Sequence, residues 1–148
     1  MPVALALLLC GEKDNKNIFD ISRDILVPMG VYFQVQDDYL DLYGDVKLTE
    51  KLGTSIKDNK RSRLVIKAFE KCDSSQRKIL DLHHGKKSDE DELVVKKLYQ
   101  DLYIQSVFQQ YAEKTESTLR DLISKVDTSE INPEIFSSFL NKISHRQK

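Results

Sequence analysis

Apolar residues recur along this chain at helical spacing, and no stretch alternates with a period of two over the length of a strand. The spacing predicts five or six helices and an all-α fold. Residues 1–10 are apolar all round and read as the tail of a buried helix ending near Gly11. Asp14, Asn15 and Asn17 offer caps for a long helix over residues 18–43, which Gly44 ends. Pro28 lies inside it, removes the bond to the Asp24 carbonyl and predicts a bend. A loop over residues 45–59 follows, with Gly53 inside it. Asp58 or Asn59 then caps a helix from Lys60 to about Cys72. Asp73 opens another that reaches His84, and Gly85 closes it. Ser88 with Asp89, Glu90 and Asp91 resembles a capping box for a long helical stretch to about Val126, bent near Ile104. Asn132 and Pro133 pair an N-cap with a proline at the first position of a helix to about Ser144.

Composition narrows the class. The 148 residues fit one domain over 1–148 with a real core. With 40% hydrophobic and 32% charged residues the chain reads as soluble and globular. Lys plus Arg number 23 against 24 Asp plus Glu, so no global field argues for nucleic acid, and any anion site must be local. The apolar opening is too short to span a bilayer, and it lacks the flanks of a signal peptide. A chain that opens inside a core-type helix reads as part of a longer fold. Cys10 and Cys72 both lie in helical stretches, read as buried or half-buried thiols, and fit a reducing, cytoplasmic setting.

Chemistry concentrates in residues 33–60. On a helix, Gln34, Asp37 and Asp41 share one stripe, with Asp38 about 100° round from Asp37. Carboxylates one turn apart repel, and a hard divalent cation would offset the repulsion. Mg²⁺ suits such a place because it takes carboxylate oxygens together with waters and substrate phosphates. A solvated acidic face is the other reading, but Phe33, Val35, Leu40 and Leu42 flank these acids. In the following loop, Gly53 permits close backbone approach, Lys51 and Lys60 suit phosphate oxygens, and Asp58 could join a metal shell or orient a lysine. Alone this is an ordinary polar loop; beside the aspartates it becomes an anion clamp. Elsewhere, the acids Asp89, Glu90, Asp91 and Glu92 read as the charged first turn of a helix. His83 and His84 are adjacent and do not share a helical face. Tyr99, Tyr103, Phe108 and Tyr111 read as packing residues.

The run FQVQDDYLDLYGD followed by KLGTSIKDNK resembles the second aspartate-rich region, the DDxxD motif, of farnesyl diphosphate synthases in the trans-isoprenyl diphosphate synthase family. The similarity continues through residues 64–68, the Gly85-Lys86-Lys87 turn, residues 98–102 and 108–111, and the basic tail. Pro2-Val3-Ala4 resembles the stretch just after the family's central lysine-threonine segment. The resemblance implies the C-terminal half of a polyprenyl synthetase domain, an incomplete isoprenoid-synthase helical bundle. It also implies a prenyltransferase of isoprenoid biosynthesis. Isopentenyl diphosphate would be condensed with an allylic diphosphate, dimethylallyl or geranyl, to give farnesyl diphosphate. The complete enzyme would hold up to three Mg²⁺ and form a homodimer.

Carried over residue by residue, Asp37, Asp38 and Asp41 would hold metal, and Asp37 and Lys51 would be catalytic. Gln34, Lys51 and Lys60 would touch the allylic diphosphate, with Asp58 behind the metal ligands. Arg146 and Lys148 resemble the basic end that folds over the isopentenyl diphosphate site. Ser55 departs from the pattern, standing where family members have an acid. The first aspartate-rich motif and its arginine pair are absent, so the isolated chain is expected to be a truncated, inactive fragment. The alternative is a non-catalytic prenyl-synthase-like subunit that binds a full-length synthase; retention of Asp37, Asp41 and Lys51 counts against it. A terpene cyclase pattern fails, because Thr128 stands where an acid should follow Asp121 and Ser124.

Overall fold

The computed structural model describes residues 2–12, 15–44 and 55–146. Among them the regular elements are seven helices: α1 (Pro2–Leu9), α2 (Lys16–Tyr43), α3 (Arg63–Lys71), α4 (Ser74–His83), α5 (Asp89–Asp101), α6 (Ile104–Ser124) and α7 (Glu134–Ser144). The chain is all-α, as the periodicity predicts. One helix more appears because the stretch after Ser88 is broken rather than bent. Tyr103 takes a left-handed backbone with φ 55°, which no α-helix continues through.

Short-range capping follows the sequence closely. Asn15 Oδ1 accepts from Ile18 N at 3.3 Å. The Asp73 carboxylate accepts from Ser75 N and Gln76 N at 2.8 Å, and Asp73 N donates to Gln76 Oε1 at 3.0 Å, a complete capping box. Ser88 Oγ accepts from Glu90 N at 3.2 Å. The last helix starts one residue later than expected: Pro133, at φ −66°, holds the N-cap position and Glu134 opens the helix, with Asn132 Oδ1 accepting from Glu134 N at 2.9 Å. The start of α3 differs from the expectation. Its cap is Ser62, whose hydroxyl accepts from Val65 N at 3.4 Å, not Asp58 or Asn59. Residues 55–59 form a turn instead, and Asn59 sits in it with a left-handed φ of 52°. Pro28 lies within α2 without ending it.

The chain divides into two compact units, one of Met1–Phe33 with Lys114–Arg146 and one built on Gln34–Glu113. In the first, Ile18, Ile25, Met29 and Tyr32 make a buried stripe of α2, and Leu119, Ile123, Phe136 and Leu140 are buried on α6 and α7. The stripe keeps helical spacing, which is why the pattern was readable. The apolar opening is not a buried helix. Leu9 is 81% exposed and Cys10 is exposed, while Cys72 is half-buried. A segment that is apolar on every side carries no period to say which face is covered. In the second unit one core cluster joins Val35 of α2, Ile56 of the turn, Leu64 and Ala68 of α3, Leu80 of α4, Val95, Leu98 and Tyr99 of α5, and Ile104 and Phe108 of α6. Among the described residues, no helix is long and apolar enough to cross a membrane.

Candidate functional site

The last turns of α2, within the second unit, carry Gln34, Asp37, Asp38 and Asp41. Tyr39 fixes their orientation. Its ring stacks on Phe108 with centroids 3.9 Å apart and planes 7° apart. Two residues of helix turn the chain by about 200°, so Tyr39 pinned to the core directs Asp37 away from it. Asp37 and Asp41 are half-buried and Asp38 is 5% exposed.

The turn over residues 55–59 meets this end of α2. Lys60 Nζ lies 2.6 Å from Asp38 Oδ1, and Ser55 N donates to Asp41 Oδ2 at 3.2 Å. Gln34 Nε2 donates to the same oxygen of Asp38 at 3.3 Å. The hydrogen bond to Asp38 is the main reason the Lys60 ammonium titrates above its ordinary value. Partial burial opposes that, and the charges of Asp38, Asp41 and Asp37 reinforce it. Gln34 belongs with Asp38, four residues on, and Lys60 neutralises Asp38 rather than standing free. Among the described residues no three His, Cys, Asp or Glu side chains converge as a metal-holding group.

Asp58, expected behind the ligands, is exposed. The Arg146 guanidinium sits 4.4 Å over the Phe33 ring in the first unit. Lys51 and Lys148 lie outside the described residues. Two further pairings hold the same turn from its other side. Lys57 pairs with Asp89 and with Glu92, the latter at 3.1 Å, and His84 Nδ1 pairs with Asn59 Oδ1 at 3.0 Å. Only a helix start rich in acid hinted at the first; nothing local hinted at the second. Burial keeps the His84 imidazole below its ordinary value and pushes the Tyr43 phenol up to about 12, so Tyr43 stays protonated at neutral pH.

The seven helices of the described residues have the isoprenoid-synthase helical fold of solved farnesyl diphosphate synthases. The Polyprenyl synthetase family model matches residues 1–102, and the chain belongs to that family. Over its whole length the chain is 42% identical to farnesyl pyrophosphate synthase of Saccharomyces cerevisiae, of which it spans 42%. It is 45% identical to the Schizosaccharomyces pombe enzyme of the same name, spanning 43% of it. Among solved structures it resembles a T. brucei farnesyl diphosphate synthase complexed with bisphosphonate. That match has a TM-score of 0.82 and 26% identity, over 88% of this chain and 36% of the other. The chain thus spans less than half the length of these relatives.

Proposed function

We propose that this chain supplies one wall of a Mg²⁺-dependent prenyl-transfer site, in which isopentenyl diphosphate is condensed with dimethylallyl or geranyl diphosphate to give farnesyl diphosphate. The observation that carries it is the meeting of Asp38 with the Lys60 ammonium and of Asp41 with the Ser55 amide, with the Asp37 charge close enough to help hold Lys60 protonated. Relatives named farnesyl pyrophosphate synthase support the reading, as does a similar structure holding a bisphosphonate, a molecule shaped like a diphosphate.

The donor set fits magnesium in kind. All three side chains offer hard oxygens, and Mg²⁺ usually takes one or two carboxylates and fills its shell with water and substrate phosphate. Asp37 and Asp41 would hold it, with Asp38 alongside. Bound there, the metal would supply positive charge against the diphosphate as the carbon–oxygen bond breaks. Lys60 is kept protonated by Asp38 and adds a mobile cation that can exchange the carboxylate for a phosphate oxygen. Lys51 and Gln34 would hold the same diphosphate, and Arg146 and Lys148 the isopentenyl diphosphate. A second set of carboxylates must face the first to hold three metals, so the chain alone turns nothing over; the complete enzyme would be a cytoplasmic homodimer.

The test is calorimetry of the full chain with inorganic pyrophosphate, with and without Mg²⁺, beside a prenyl-transfer assay. Binding should require Mg²⁺ and weaken about tenfold or more in Asp37→Ala and Asp41→Ala, with no prenyl product. Binding indifferent to Mg²⁺ or to both substitutions would refute the site, and turnover by the chain alone would refute the need for a second wall.

A further inference from the structure

The turn that faces the aspartates is itself held from behind. Lys57 is 21% exposed and pairs with Glu92, which is 13% exposed, and with the exposed Asp89. The other Glu92 oxygen takes Lys96 at 2.5 Å, so this half-buried carboxylate ties two lysines to the head of α5. One residue before Lys57, the Ile56 carbonyl accepts from Gly85 N at 2.9 Å. Two residues after it, Asn59 meets His84 at 3.0 Å. The contacts to α2 come from the ends of the same short segment, Ser55 N to Asp41 and Lys60 Nζ to Asp38. Lys60 N closes the segment on Ser55 O at 3.0 Å. The middle of the turn is thus tied to the head of α5 and to the Gly85 turn, while its ends meet α2, so a shift of the middle is passed to the ends.

We infer that Lys57, held by Glu92 and Asp89, is a positioning residue for the aspartate site: the ion pair at the head of α5 sets where Lys60 and the Ser55 amide meet α2. Lys57 bonds neither Asp38 nor Asp41 and acts through the turn. The isolated worth of a pair with the exposed Asp89 is small, and its consequence is geometric. Neighbours that orient a binding residue typically change ligand affinity by about 10- to 100-fold when removed. The diphosphate part of this role rests on the reading of the aspartate site given above; the geometric part does not.

Two measurements on the full chain separate those parts. One follows hydrogen exchange of the Lys60 ammonium by nitrogen-15 NMR; the other is Mg²⁺-dependent pyrophosphate affinity. Lys57→Met should speed Lys60 exchange and weaken pyrophosphate binding, each about tenfold, and Lys57→Arg should restore both. Glu92→Gln, which keeps the shape of the anchor, should act in the same direction should Lys57→Met fold poorly. Lys60 exchange within about twofold of the parent in Lys57→Met and in Glu92→Gln overturns the inference. Faster Lys60 exchange in a chain whose parent binds no pyrophosphate keeps the anchor and removes the diphosphate site.

Discussion

Breaking the Asp38–Lys60 pair from either side should have unequal costs. At 2.6 Å the charges attract by about 6 kcal/mol at an effective dielectric near 20 and about 1.6 kcal/mol in bulk water. The Lys60 side chain is 44% exposed, which calls for a value toward the aqueous end, while Asp38 at 7% has lost most of its hydration. Net of desolvation, the coupling should be about 1–2 kcal/mol. Lys60→Met leaves a buried carboxylate that has lost its cation and keeps the Gln34 amide bond, and should destabilise by about 2 kcal/mol. Asp38→Asn leaves a lysine that reaches water, and should cost about 1 kcal/mol. Urea unfolding of both single variants and the double variant gives the coupling by a double-mutant cycle. Because Lys60 titrates above 10.5 in the folded chain, its contribution is fully present below that pH and is lost as the pH rises through the higher folded value. Single-variant effects that simply add, to within about 0.3 kcal/mol at neutral pH, would show that the pair does not stabilise the turn.

Gly85 combines a φ of 82° with a site where an added Cβ would stand 3.0 Å from Asn59 Cβ. Gly85→Ala should therefore destabilise by about 1–2 kcal/mol in urea titration, and an unchanged midpoint would contradict the docking of that turn. Asp73 is held below 3.8 by its hydrogen bonds to Gln76 and Ser75, so its contribution exists above that pH and fades as the pH falls toward its folded value. The melting-temperature gap between the parent and Asp73→Asn should shrink on the same fall, and a gap that widens in acid would refute the assignment.

What could be read in advance was local. Asp73, Ser88 and Asn15 cap within two or three residues, and their side chains announce it. The buried stripe of α2 follows from its 3.6-residue period. The aspartate run was legible as residue types, though not as partners. The bond from Gln34 to Asp38 is one such partner, because spacing alone does not choose between i+3 and i+4. The start of α3 is not legible locally, because Asn59 and Ile56 belong to a turn fastened to His84 and Gly85, far along the chain. The break at Tyr103 looks like a bend in the sequence, since apolar positions continue across it and no glycine or proline marks it. Lys57 looked like any surface lysine until Glu92 was brought beside it.

The bond from Gly85 to the Ile56 carbonyl has a bearing on how the molecule assembles. It spans two helices and their connection, so closing it costs loop entropy that no single helix repays by itself. Helices as short as α3, with 9 residues, and α4, with 10, are marginal by themselves and depend on tertiary packing. Closing the Gly85 bond docks both beside the amide and ammonium neighbours of the carboxylates, so helix content and competence to bind should be gained together. Amide exchange at Gly85 should then be as slow as that of the helix cores on either side.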